Sequence, residues 1–306
     1  MPNPREIHRH MRSVGNIQQI TKAMKMVAAA RLRRAQEKAA SSRPFAEKIE
    51  SMLITAMGDS TLQNKLDLSE SPLMASRSVR RTGFIVIAAD KGLAGPYNSN
   101  VLKHALAEIT ECENYTIITV GRKSKEFFQH RGFEVAKDFF GLSDKPNFDY
   151  AEQIAKAAAD LFITGEVDEV KLISTRFKSA LSYTPETIQL LPVQVPGNKA
   201  VTISGSFAPA EEEEEEELGK VIYEPNPATL MKQLLPDYVK TLIYAALMQS
   251  AASELGARMT AMSSATDNAS DLLRSLELSY NKARQAGITR EINEIVGGAE
   301  ALNQQN

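Results

Sequence analysis

Two stretches of helical periodicity bracket the chain, with short apolar runs between them. From Pro4 to about Met57 the only internal proline is Pro44 and the only glycine is Gly15. Apolar residues recur at Ile7, Met11, Val14, Ile17, Ile20, Met24 and Val27, at steps of three and four. That spacing predicts one face of a helix. Pro44 cannot donate a backbone hydrogen bond, so a kink or local break is expected there. Most basic residues fall off the stripe and are expected to face outward.

The carboxyl-terminal segment carries a stricter pattern. After Pro236 no proline occurs in the remaining 70 residues. Leu255, Met259, Met262, Thr266, Ala269, Leu273, Leu276, Tyr280, Ala283 and Gly287 alternate steps of four and three. This is a heptad seam and predicts a left-handed coiled coil with a partner helix. The phase then shifts by one residue, and Ile288, Ile292, Ile295, Ala299 and Leu302 continue the rhythm. At ~1.5 Å per residue, a helix over 237–302 spans about 100 Å. The amino-terminal stripe is the natural partner, since neither helix has another place to bury its face. Two ordinary amphipathic helices of a bundle remain an alternative on pattern alone. The seam is rich in Ala, Thr and Gly, which permits close approach but buries little per layer.

Between the helices the period changes. Phe84–Ala89 is a continuous apolar run, as expected of a strand covered on both faces. A helix over 98–111, a strand over 115–120, a short helix through Phe127 and Phe128, and a helix over 149–163 follow. Strands at 168–175 and 186–193 close the region. Strands alternating with helices predict a mostly parallel, Rossmann-like sheet. The fold expected is α/β plus a long antiparallel coiled coil, with the Rossmann-like domain between the terminal helices. Its parts are a helix over 1–57, a linker over 58–83 and an α/β domain over 84–194. A flexible acidic loop over 195–224 and a helix over 225–306 complete the chain.

Charge sharpens this picture. The net charge of −2 conceals eleven Lys and Arg against three acids in residues 1–48, whereas Glu211–Glu217 is an unbroken acidic run. Poles of this kind point to a charged partner. The chain is 43% hydrophobic with no Trp, and no apolar run approaches the ~20 residues of a membrane span. The first residues lack the apolar stretch of a signal peptide. The single Cys112 excludes an internal disulfide and any cysteine cluster, in keeping with a reducing compartment.

Little of the sequence asks for catalysis. The loop Asp90–Asn98 follows the first strand, where such a fold would hold a nucleotide. It lacks G-x-G-x-x-G spacing, and no G-x-x-x-x-G-K-[ST] occurs anywhere, so a structural turn is expected. Asp90 and Lys91 are adjacent and point apart. His8, His10, His104 and His130 show no metal-ligand spacing. The glutamate run lacks the glycine and alternation of a calcium loop. No catalytic, cofactor or metal site is expected.

Three stretches together resemble the gamma-subunit family of F-type ATP synthases. They are Ile20–Gln36 (ITKAMKMVAAARLRRAQ), Asp90–Asn98 (DKGLAGPYN), and Ala265–Ala269 (ATDNA) followed by Tyr280–Ala299 (YNKARQAGITREINEIVGGA). The last block is the most specific, and the match runs from end to end. The resemblance implies a non-catalytic central shaft that couples rotation of a membrane c-ring to the catalytic beta subunits, regulating ATPase activity and ion flow. The partners implied are alpha, beta, epsilon and the c-ring, with no nucleic acid, no cofactor and no membrane insertion. The place implied is the cytoplasmic face of a bacterial membrane. By resemblance Lys22, Met24 and Lys25 face an acidic loop of beta. Arg258, Arg284, Gln285 and Thr289 make polar contacts with catalytic subunits, and the tip from Ile295 to Leu302 turns in an apolar sleeve. Ala94 stands where many relatives carry Cys, no cysteine-bearing insertion occurs, and the glutamate run is not a family hallmark. The alternative is a stand-alone nucleotide-sensing Rossmann-like domain with a coiled-coil output.

Overall fold

The computed structural model describes residues 4–58, 72–141, 146–194 and 227–303. The Glu211–Glu217 run and residues 59–71 of the linker lie outside them. The chain divides into two compact units. One comprises Met1–Val27 with Met259–Asn306, the other Ala28–Arg258. Helix α1 (Pro4–Gly58) and helix α5 (Pro227–Asn303) contribute to both.

The larger unit is built on five strands: β1 (Thr82–Ile87), β2 (Tyr115–Val120), β3 (Val135–Phe139), β4 (Glu169–Phe177) and β5 (Tyr183–Leu191). Their order is β3-β2-β1-β4-β5. All pairings are parallel except that of β5 with β4. Central β1 sets Phe84 against Ile117 on one side and Lys171 on the other. Its apolar run serves two cores because alternate side chains point to opposite faces. Phe84, Val86 and Ala88 pack with α2 (Tyr97–Thr110) and α3 (Arg122–Gln129) through Val101, Ala105, Ile109 and Phe128. Ile85 and Ile87 pack with Ile154, Ala158 and Phe162 of α4 (Phe148–Ile163), Ile49 and Leu53 of α1, and Val239 and Ile243 of α5. Each buried Val, Ile, Leu or Phe among them contributes about 1.5–3 kcal/mol.

The sequence pattern missed β3. Its residues are half-buried or exposed, and an edge strand with two charged residues among five, Lys137 and Asp138, carries no continuous apolar signal. Of the kink or local break expected at Pro44, the break does not occur. The helix runs through it, and Ala46, Ile49 and Leu53 continue the buried row of Ala39. Pro44 itself is exposed, and packing on its far side outweighs one lost hydrogen bond. Pro236 is likewise accommodated within α5.

The loop after β1 is stitched shut. Asn98 Oδ1 accepts the Ala89 N–H at 3.0 Å, and its amide donates to the Lys91 carbonyl at 3.3 Å. The Lys123 N–H reaches the Ala89 carbonyl at 3.0 Å. Gly121 lies where the two loops meet, with φ +96° and room for no side chain. A Cβ there would stand 2.1 Å from the Ala88 carbonyl oxygen. Gly121→Ala is therefore expected to lower the unfolding free energy by about 3 kcal/mol, from strain and clash together. Urea denaturation of the whole chain measures it, and a loss below about 1 kcal/mol would contradict this close approach.

A second expectation concerns pH. Asp168 Oδ2 accepts the N–H groups of Arg80 and Arg81 at 2.8 and 3.0 Å, which hold its carboxyl below the ordinary value. A depressed folded pKa stabilises above the unfolded value of about 3.9, and the gain is lost as pH falls through the folded value. Asp168→Asn is thus expected to be less stable than the parent at about pH 6, with the gap closing towards about pH 3. Parallel denaturation midpoints across that range test the sign.

Candidate functional site

The carboxyl edge of the sheet, between β1 and β4, is where a doubly wound fold would bind a ligand. Here the chain fills that crevice itself. Ala257 of α5 packs with Ala89, Ala94 and Tyr97. Ser250 accepts the Thr175 N–H at 3.3 Å. Buried Tyr97 contacts the ring of Tyr183 at 5.9 Å. Burial, and then the Glu254 carboxylate, push the Tyr97 phenol well above its usual range, so it stays neutral. Gly256 comes so near the β4–β5 turn that an added Cβ would meet the Ala180 carbonyl at 3.2 Å.

Arg258 closes this end. Its Nη2 lies 2.7 Å from Glu254 Oε1 and donates to the Gly92 carbonyl at 3.1 Å. Both charged side chains are buried, and their opposite charges offset part of the cost of that burial. The loop Asp90–Asn98 is accordingly a structural turn, with Leu93 at φ 63° and Gly95 at φ 53°. Asp90 Oδ1 accepts the Arg122 N–H at the start of α3. Among the described residues no group of His, Cys, Asp and Glu stands close enough to hold a metal ion. None of their helices is long and apolar enough to cross a membrane.

The smaller unit pairs α1 and α5 in antiparallel fashion. The rings of His8 and Tyr280 lie 5.9 Å apart. Gln18 Nε2 donates to Ser270 Oγ at 2.7 Å, the hydroxyls of Thr21 and Thr266 are 2.8 Å apart, and Lys25 Nζ donates to Ser263 Oγ at 2.9 Å. Each step forward on α1 is matched by a step back on α5. On α5 the seam follows the predicted residues: Met262 and Ala269 are buried, and Leu273, Leu276, Tyr280 and Ala283 are half-buried.

On α1 the predicted stripe fails at Ile17, Ile20 and Val27. The row turned to α5 is Ile7, Met11, Val14, Gln18, Thr21 and Lys25, an unbroken sequence of fours and threes. Ile17, Ile20, Met26 and Val27 are between 51% and 60% exposed, and Met24 is half-buried. Counting apolar residues favours Ile17 and Ile20, but continuity of the heptad favours Gln18 and Thr21, and continuity wins. That continuity was the signal available in the sequence. The later phase of α5 differs too. Ile288, Ile292 and Ile295 are exposed, because the register brings Pro4, where α1 begins, level with about Arg284.

The predicted contact residues fall into two groups. Lys22, Lys25, Arg284, Gln285 and Thr289 are exposed on the helical pair. Lys22 and Lys25 border an open groove of about 480 Å³, with Gln18, Gln19 and Met26 from α1 and Thr266 and Ser270 from α5. Arg258 belongs instead to the sheet unit, buried and committed to Glu254 and Gly92.

Comparison with known proteins gives the same architecture a family. The family model described as ATP synthase matches residues 3–302. The ATP synthase gamma chain of Heliobacterium modesticaldum is 44% identical over 99% of this chain and 100% of its own length. That of Brevibacillus brevis is 43% identical over 97% and 98%. Among solved structures, the central stalk and c-ring of Tetrahymena thermophila mitochondrial ATP synthase aligns with TM-score 0.60 at 25% identity, covering 80% of this chain and 99% of that one. The Euglena gracilis mitochondrial F1 and c-ring structure shares the fold, with TM-score 0.65 at 19% identity over 98% and 94%. With a family model and full-length relatives in agreement, this chain belongs to the ATP synthase gamma-chain family.

Proposed function

We propose that this chain is the central rotor shaft of a proton- or sodium-translocating F-type ATP synthase. It passes c-ring rotation to the three catalytic beta subunits and is itself non-catalytic. The observation that carries the reading is the outward face of the helical pair. Ile17, Ile20, Met26 and Val27 are exposed beside Lys22 and Lys25, while Gln18 and Thr21 occupy the seam at that level. A helix that turns apolar groups outward and polar groups inward is built to meet another surface. The filled crevice at the sheet edge argues against the nucleotide-sensing alternative.

In this reading the helices over 1–57 and 225–306 form the shaft, and the α/β domain over 84–194 sits against epsilon and the c-ring. The stretches 58–83 and 195–224 connect them. The shaft works at the cytoplasmic face of a bacterial membrane, within a ring of alpha and beta. Lys22, Met24 and Lys25 meet an acidic loop of beta, and Arg284, Gln285 and Thr289 form polar contacts nearer the tip. Arg258 supports these contacts from within by anchoring α5. A rotor must engage three equivalent sites in turn and release each, and exposed ion pairs of about 0–1 kcal/mol allow that. Each orientation stabilises a different conformation of each beta subunit, which biases nucleotide affinity and governs ATPase activity and ion flow.

Mixing the chain with alpha and beta subunits tests the assignment: one copy is expected to enter a complex with three of each. The arginines separate contact from support. Arg284→Ala is expected to leave the free chain's stability within about 0.5 kcal/mol of the parent yet reduce ions pumped per ATP hydrolysed. Unchanged pumping would remove Arg284 from the contact set. Arg258→Ala is expected to destabilise the free chain by about 3 kcal/mol, since the buried Glu254 carboxylate loses its ion pair with Arg258. Denaturant titration reads that loss, and a silent Arg258→Ala would show the ion pair to be dispensable.

A further inference from the structure

Helix α1 carries two competing stripes in its first half. One is polar and faces α5: Gln18, Thr21 and Lys25. The other is apolar and faces outward: Ile17, Ile20 and Val27. Ile17 and Ile20 immediately precede Gln18 and Thr21, and Val27 precedes buried Ala28, so rotating this stretch by about 100° would bring the apolar row inward. Hydrophobic burial favours that exchange, because three large aliphatic side chains would leave water. Two things oppose it. The rotated phase needs consecutive three-residue steps at Val14, Ile17 and Ile20, an interruption that overwinds the coil. It would also break the bonds that cross the seam.

Those bonds form a ladder. Ser270 Oγ accepts from Gln18 Nε2 at 2.7 Å and donates to the Thr266 carbonyl at 3.0 Å, so both of its roles are used. The Thr21 and Thr266 hydroxyls meet at 2.8 Å, while each also lies within reach of a carbonyl of its own helix, Gln18 and Met262 respectively. Two hydroxyl hydrogens serve three contacts, so one hydroxyl bonds across the seam and the other bonds to its own carbonyl. Lys25 closes the ladder on Ser263 at 2.9 Å. A polar group left unpaired in a seam is strongly disfavoured, and polar seam residues are known to fix helix phase and register.

We infer that the Gln18–Ser270, Thr21–Thr266 and Lys25–Ser263 ladder is a phase lock, whose members are positioning residues that hold Ile17, Ile20 and Val27 outward. The inference deepens the shaft reading but is tested without any other subunit. In a Cys112→Ser background, Ile20→Cys provides a thiol probe on the outer stripe of the full chain. Removing the ladder from α5 alone, by Ser263→Ala, Thr266→Val and Ser270→Ala, leaves α1 intact but strips its polar row of partners. The probe's labelling rate is then expected to fall about tenfold as the apolar row turns inward. Thr266→Ser, which keeps the hydroxyl, is expected to label at the parent rate.

A labelling rate that stays unchanged, or rises because the pair comes apart, would overturn the phase lock. A second variant guards against a misfolded result. Adding Ile17→Gln and Ile20→Gln to the triple substitution removes the drive to rotate, and a Val27→Cys probe should then label at the parent rate. Continued protection of Val27→Cys in that variant would also count against the lock. Failure here leaves the subunit-mixing experiment untouched, and failure there leaves the labelling result standing.

Discussion

The two long helices must keep one rotational phase over many turns, and most other features follow from that constraint. A heptad seam holds its partner only if every step of three or four is followed faithfully. On α1 the row from Ile7 through Val14 returns at Ala28 and Leu32, which are buried in the sheet unit. That continuity opposes the more apolar alignment for the residues between. Gln18 and Thr21 are drawn inward by their neighbours in the heptad, and hydrogen bonds make their burial tolerable. The exposed aliphatic row is the direct result.

How legible this was in the sequence depends on which forces acted alone. The α5 seam and the central strands could be read because burial and periodicity agree there: Met262, Ala269 and Leu276, or Phe84 to Ile87, have no competing demand. Tyr115–Val120 was predicted to the residue for the same reason. The α1 stripe misled because two signals disagreed from Ile17 onward, and the local apolar count was followed over the longer rhythm. Strand β3 was invisible since Ala136 and Lys137 face solvent at a sheet edge. The helix through Pro44 could not be foreseen from a local rule, as distant packing partners decide it. For the candidate site, the exposed positions of Lys22 and Arg284 were expected, but the committed position of Arg258 required knowing that Gly92 and Glu254 converge on it.

The sheet unit also explains why a doubly wound topology accompanies no nucleotide motif. Its open crevice, the usual location of chemistry, is used as a socket for the chain's own helix. Small residues at Ala257 and Gly256 let the backbone approach closely, Tyr97 fills the depth, and the buried ion pair at Arg258 closes the rim. The glycine-containing loop that would elsewhere cradle phosphate is bound by Asn98 and Asp90 to neighbouring backbone. A fold associated with ligand capture is thus used for anchorage, a reminder that function resides in sites rather than folds.

The register between α1 and α5 has a consequence for the life of an unassembled copy. Beyond Gly287 the described part of α5 has exposed isoleucines at 288, 292 and 295 and no facing helix from α1. A short helical stretch in water without tertiary support frays readily, and frayed backbone is what proteases cleave. In an unassembled copy, cleavage is therefore expected to begin beyond Gly287, where the apolar stretch lacks support from α1. A partner surface that covered 288–295 would shield both the isoleucines and the backbone beneath them from cleavage.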